Sequence, residues 1–295
     1  MRRKTEGNTG LLLGFSAYAM WGFFPLYWPL LQPSSPYEVL AHRIIWSLVF
    51  MMIVNSVFHL WEPVRIAWRS AKTRRLLALA SFFVTINWGL YIWSVQTNHV
   101  VDAALGYFIN PLVSVAMGII AFGERLRRLQ WVAIAIAASS LLMLAFDAHA
   151  IPWIGLILAG SFGSYGLVKK LAGIEAMASL TIETGVALPF AVAYLGYLEL
   201  TGQAAFLHTS VGHTLTVLSA GAVTALPLLG FGAAAVRIPL STLGLLQYLT
   251  PLLQFSLGII VFHETMSAMK WAGFAWLWVG LAVFALDMVQ HTRRA

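Results

Sequence analysis

No cysteine occurs in the chain, so it can build neither a disulfide framework nor a thiolate metal site. Charge is scarce too. Asp, Glu, Lys and Arg supply 10% of the residues, against about 25% in soluble domains. The eight histidines form no H-E-x-x-H metal motif, no G-x-S-x-G elbow occurs, and no Gly-rich nucleotide loop is present. Those absences argue against a zinc hydrolase, a serine hydrolase and direct ATP drive. Glu38-x-x-x-His42 alone is too little to hold a metal, and no cofactor motif is found. What the chain has in plenty is apolar sequence, 60% of its 295 residues.

That apolar sequence falls into ten runs, at about 9–31, 37–57, 76–97, 101–122, 129–147, 151–168, 177–199, 214–235, 240–262 and 270–288. A run of roughly 20 residues crosses a hydrocarbon core about 30 Å thick. Lipid offers the backbone no hydrogen bonds, so every run is predicted to be helical. The expected fold class is all-α integral membrane with ten transmembrane helices, and the lipid bilayer is the first partner. The basic start Met1-Arg2-Arg3-Lys4 and the Ala17-Tyr18-Ala19 pattern resemble a signal peptide. However, too few apolar residues precede that pattern and the run continues to Leu31, so no cleavage is expected.

A net charge of +7 and a pI near 9.9 could indicate nucleic acid, so the position of the basic residues decides. Sixteen of the eighteen Lys and Arg residues lie in alternate segments, from Arg2 at one end to Arg294 at the other; Arg43 and Lys270 are the exceptions. This asymmetry is the positive-inside pattern. It predicts a multi-pass protein with both termini cytoplasmic and removes the reason to invoke nucleic acid.

One stretch occurs twice. A shift of 140 residues superposes Pro111 on Pro251, Gly118 on Gly258, Phe122 on Phe262, Glu124 on Glu264, Trp131 on Trp271 and Asp147 on Asp287. A second, fainter match sets Trp21-Gly22 against Tyr165-Gly166. The chain therefore reads as two five-helix repeats, residues 1–147 and 148–295. An odd number of spans per repeat inserts the two in opposite orientations. Inverted repeats with helices interrupted at matching places, here Pro111 and Pro251 as hinge candidates, are the pattern of secondary transporters.

Polar residues inside the runs mark candidate site positions. Tyr107, Asn110, Ser114 and Gly118 share a helix face, as do Gln247, Thr250, Gln254 and Gly258 in the second copy, and Asn87, Tyr91, Ser94 and Asn98 in the third run. Such faces either line one cavity or join neighbouring helices, and both readings stay open. Glu38, His42, Arg43 and Glu183 place charge within the runs. A shift of 140 residues sets Arg43 on Glu183, so these two could pair across the site. Glu38 and His42 are the coupling candidates, because His titrates near neutrality. Lys169 can snorkel to the interface, and Glu124 and Glu264 suit the starts of the helices that follow them. Trp21, Trp46, Trp88 and Trp93 could stack on a flat substrate. The small residues Gly155, Ala159, Gly160 and Gly163 read as helix packing.

Taken together, Tyr18 with Trp21-Gly22 and Pro25-Leu26-Tyr27-Trp28, Glu38 with His42-Arg43 and Trp46-Ser47, Asn87-Trp88, Leu105-Gly106-Tyr107-Phe108-Ile109-Asn110-Pro111-Leu112, Gly123-Glu124-Arg125, Tyr165-Gly166, Glu183-Thr184 and Gln247-Tyr248 resemble the RarD family. That family is a group within the EamA branch of the drug/metabolite transporter superfamily. The second copy departs from the Gly-Glu pattern with His263-Glu264. The resemblance implies two EamA-type repeats in the cell inner membrane and no enzyme activity. The reading is a transporter, exporter or permease, of small organic metabolites or amphiphilic compounds. Its expected binding set is Trp21, Arg43, Trp46, Asn87, Trp88, Tyr107, Asn110, Tyr165, Glu183, Gln247 and Tyr248. Rival readings are a membrane-embedded enzyme and a non-transporting adaptor subunit. Proton coupling and a homodimer are compatible with the chain; substrate, direction and coupling ion are not written in it.

Overall fold

The computed structural model describes residues 2–122, 127–148, 151–235, 237–238 and 246–292, and for some of these the backbone alone. Among the described residues every regular element is helical: α1 (Arg2–Gly22), α2 (Phe24–Tyr27), α3 (Pro36–Val57), α4 (Trp61–Arg69), α5 (Ala71–Gln96), α6 (Val100–Phe122), α7 (Arg128–Ala148), α8 (Trp153–Ala172), α9 (Ala176–Leu200), α10 (Val211–Ala235), α11 (Leu249–Ile260) and α12 (Ala268–Thr292), with a 3-10 turn at Trp28–Leu31. Six helices are long and apolar enough to cross a membrane, and α1 with α2 and the turn makes a seventh as a pair bent by 45°. Val100–Asn110 and Leu249–Ile260 are shorter apolar helices. The chain is a multi-pass membrane protein, and exposed Phe146, Phe190 and Leu286 are the residues a lipid-facing surface would carry.

Local chemistry sets the helix ends. Ser35 caps α3 by accepting from the Glu38 amide at 3.2 Å, and Pro36 follows at a position where its missing N–H costs nothing. Ser70 caps α5 from the Thr73 amide at 3.3 Å. Short α4 carries Arg65 and Arg69 with exposed Ile66 and Trp68, the composition of a helix lying in a membrane interface.

The proline expectation divides. α6 runs as one helix through Pro111, whereas Pro251 lies in the first turn of α11, where a proline interrupts nothing. A break that the repeat did not reveal falls at Phe23, between α1 and α2.

The helices pack as α7 on α12, α6 on α11, α3 on α9, α6 and α5 on α8, α11 and α10 on α1, α10 on α3 and α9 on α5. Small residues permit the closest crossings. A Cβ on Gly106 would stand 2.9 Å from the Gly155 carbonyl oxygen, so α6 and α8 touch backbone to backbone. Polar side chains join the same pairs: Asn55 donates to Thr181 at 2.9 Å, Ser140 to the Gly273 carbonyl at 2.7 Å, and Thr250 to the Tyr18 carbonyl at 2.8 Å. Asn55 joins α3 to α9, Ser140 joins α7 to α12, and Thr250 joins α11 to α1.

The tightest crossing lies at Gly221, where an added Cβ would strike the Trp46 carbonyl and stand 2.9 Å from the Ser47 nitrogen. Gly221→Ala must part α10 from α3 and is expected to cost about 3 kcal/mol, seen as a lower Tm and folded yield in detergent. Gly232→Ala is the control, because nothing lies within 4 Å of its added Cβ.

Candidate functional site

The bend at Phe23 has a chemical consequence. Pro25 and Pro29 occupy the first positions of α2 and the 3-10 turn, and the redirected segment sets Phe24 and Trp28 against α3. Arg43, 4% exposed, projects into those rings. Its guanidinium carbon lies 4.1 Å from the Trp88 ring centroid, 4.9 Å from Trp28 and 5.8 Å from Phe24. Tyr27, Tyr91 and Tyr107 complete the surroundings within electrostatic reach. Rings over the face of a guanidinium stabilise it by about 2 kcal/mol when desolvated. They do not serve the N–H groups in its plane. Arg43 Nε and Nη1 have no partner, nor do the Trp28 indole nitrogen and the Tyr91 hydroxyl.

Glu183 does not supply the missing counter-charge. Its carboxylate, also buried, accepts from Lys169 Nζ at 3.0 Å, from the Tyr165 hydroxyl at 3.0 Å and from Ser179. Lys169 is therefore a structural partner as well as a snorkelling residue, and the proposed Arg43–Glu183 pair is not formed. Trp88 stacks on Arg43 and, with Ile44, Thr85 and Glu183, lines a crevice too narrow to admit water.

The polar faces mostly join helices. Asn87 donates to the Leu158 carbonyl at 3.0 Å and to Ser161 at 3.2 Å, and accepts from the Tyr107 hydroxyl at 3.3 Å. Gln254 donates to the Trp21 carbonyl at 3.1 Å, and Trp21 packs edge-on against Tyr18. Asn110 Oδ1 and the Tyr248 hydroxyl are buried without partners, while Gln247, at a half-buried turn, joins neither charged cluster. Nothing is described of the Pro111 side chain. Trp93 stacks on His99 at 5.4 Å and packs against the cluster that contains Phe24 and Trp28.

A second set of contacts ties elements distant in sequence to one another. Glu38, the first-turn carboxylate of α3, accepts from the Ala205 and Phe206 amides at 2.9 and 3.0 Å. His42 Nδ1 accepts from Trp46 at 3.2 Å, and the imidazole lies 4.3 Å from the Phe206 ring. With Nδ1 accepting, the proton of neutral His42 sits on Nε2, which has no partner. His213 meets Ser34 at 3.2 Å and the Leu31 carbonyl at 3.0 Å. Glu264 was expected to serve the helix after it. Its carboxylate instead takes the Val100 and Val101 amides at the start of α6, beside a 2.9 Å Lys270–Asp102 pair. Burial raises the Glu264 carboxyl above its usual range, against the pull of those two amides. Glu124 lies outside the described residues. Arg127 pairs with Asp287, joining α7 to α12. Among the described residues no cluster of His, Asp and Glu could hold a metal.

Sequence reasoning had Arg43 and Trp88 but not Phe24 and Trp28. The signal available was Pro25 and Pro29, whose spacing marks a break in the first run.

The chain is similar to known and uncharacterized members of a transporter family. Residues 8–146 match the EamA-like transporter family. The chain is 48% identical to protein RarD of Streptomyces exfoliatus over 295 residues, covering 100% of this chain and 94% of that protein. It is 41% identical to the uncharacterized transporter YojE of Bacillus subtilis, covering 98% and 97%. It is 39% identical to protein RarD of Escherichia coli, covering 98% of each. A solved crystal structure shares the fold at TM-score 0.60 with 17% identity, over 95% of this chain and 98% of the other.

The Glu183 cluster makes an asymmetric expectation. Lys169→Ala would strand a buried carboxylate and cost about 3 kcal/mol, whereas Glu183→Gln frees a lysine that is 20% exposed and can reach water. Thermal unfolding in detergent should show the larger loss for Lys169→Ala; equal losses would mean the carboxylate is already solvated.

Proposed function

Because the chain belongs to the EamA-like transporter family, in its RarD group, we propose that it is a secondary transporter of small organic metabolites or amphiphilic compounds. It works as an exporter or permease by alternating access between residues 1–147 and 148–295, inverted repeats in the cell inner membrane with both termini cytoplasmic. The observation that carries this reading is the packing order. Exchange α1 with α8, α3 with α9, α5 with α10, α6 with α11 and α7 with α12, and the principal packing pairs map onto one another: α6–α8 becomes α11–α1, α5–α8 becomes α10–α1, and α10–α3 becomes α5–α9. The pairs α3–α9, α6–α11 and α7–α12 map onto themselves, as pairs on a two-fold axis would. That is the relation between the halves of a rocking transporter.

On this reading the bonds of Glu38, His213 and Glu264 close the outer mouth and break when the halves rock. Arg43 and Trp88, with Asn87, Tyr107 and Glu183, form the charged and aromatic part of the central site. His42, beside Glu38 and His213, is the group suited to carry a coupling proton, since protonating Nδ1 would displace the Trp46 bond and disturb the closed mouth. Pro111 is the hinge suited to α6.

Metabolite comparison of medium and cells with and without the gene nominates solutes, and their flux is then measured in proteoliposomes. Because the native chain lacks cysteine, Ser34→Cys with His213→Cys can be bridged by a short thiol cross-linker without background. Bridging is expected to stop flux by tenfold or more, with recovery when a reducible linker is cleaved. Undiminished flux through the bridged protein would contradict alternating access at this mouth.

A further inference from the structure

Arg43 holds a positive charge on a residue only 4% exposed, because a guanidinium stays protonated in proteins. A buried charge normally has an ionic partner and filled hydrogen bonds. Arg43 has neither. Among the described residues, the two buried acids of α3 and α9 are committed elsewhere: Glu38 to the Ala205 and Phe206 amides, Glu183 to Lys169, Tyr165 and Ser179. The rings of Trp88 and Trp28 attend the guanidinium, while Nε and Nη1 are unfilled. The indole N–H of Trp28, also buried and unfilled, can only donate, and the Tyr91 hydroxyl has no partner. The arrangement is thus a set of donors around a cation, with no acceptor among them except the tyrosine oxygen.

We infer that Arg43, with Trp28 and Tyr91, is the recognition point for a small organic anion, a monocarboxylate with a flat apolar body. This rests on the transport reading above and names the substrate class of that site. A carboxylate is acceptor-only and can take two parallel N–H groups from a guanidinium edge. Its charge would cancel the one that the protein leaves uncancelled. The apolar body follows from the walls: Phe24, Trp28 and Trp88 offer ring faces and edges, which favour a flat ring over a compact hydrated ion. Arg43 is 4% exposed in this conformation, so on the transport reading the anion reaches it when the two halves part. A cation has no place here, since the field it would meet is positive.

The probes are phenylacetate, benzoate and indole-3-acetate, with phenylacetamide as the neutral match, benzylamine as the cation and acetate as charge without a ring. Binding to purified wild-type protein in detergent is read by tryptophan fluorescence, because two indoles flank the guanidinium, and by thermal shift. The ring-bearing carboxylates should bind saturably, and phenylacetamide, benzylamine and acetate should each bind at least about tenfold more weakly. Arg43→Gln should abolish the preference. Arg43→Lys, which keeps charge but loses the planar fork, should weaken carboxylate binding by about tenfold and serves if the Gln variant does not fold. Equal binding of phenylacetate and phenylacetamide, no protection by any of the three carboxylates, or undiminished phenylacetate binding in both variants would overturn the inference. Arg43-dependent carboxylate binding without flux in proteoliposomes would leave the anion site standing and sink the transport reading. Flux of other solutes that ignores phenylacetate and the Arg43 variants would do the reverse.

Discussion

A guanidinium enclosed by aromatic rings, with no carboxylate beside it, is the constraint around which the first half of this membrane protein is arranged. Lipid cannot solvate Arg43, and translocon-based scales set the cost of a charge at a span centre at about 2.5–3.5 kcal/mol. The fold lowers that cost without removing it. Phe24 and Trp28 reach the guanidinium only because the first span bends at Phe23. Trp88 reaches it from α5, which must therefore pack beside α3. The bend, the two prolines and the α3–α5 contact bring ring faces, and no acid, to the one cation.

The other buried charges are handled differently, and the contrast is informative. Glu183 is satisfied by a lysine and two hydroxyls, while Glu38 and Glu264 accept backbone amides across elements that lie far apart in sequence. Those groups hold the structure in one arrangement. Charge-assisted bonds of this kind are worth roughly 1.5–3 kcal/mol each, which is firm enough to hold one arrangement and small enough for a ligand of moderate affinity to offset. A transporter needs both kinds of site: contacts that are complete in one state, and a centre completed by what it carries.

Much of the helical character was legible in composition. Apolar runs anticipate helices in the order found, because lipid burial imposes a length rule on each run separately. Individual candidate residues stood out as well, since Arg43, Trp88 and Glu183 are polar or aromatic at positions where apolar residues are cheaper. Their partners were not. Periodicity places Arg43 on a face of one helix but cannot say which of Trp28, Trp88 or Glu183 stands opposite, because that depends on crossing geometry between helices distant in sequence. The 140-residue shift set Arg43 on Glu183, yet a match of positions in sequence need not bring the two side chains into contact. Asn87 and Gln254 likewise read equally well as cavity lining or helix glue until the neighbouring carbonyls of Leu158 and Trp21 were in view.

The central claim is that Arg43 is kept for what it binds and not for the fold, and its most direct test is the thermal stability of Arg43→Met without ligand. Methionine fills a similar volume between the same rings and brings no charge, so the account expects a Tm in detergent equal to or above that of the wild type. A Tm lowered by many degrees, with the aromatic cage collapsing in the variant, would show that the cation holds the rings together and would contradict the claim.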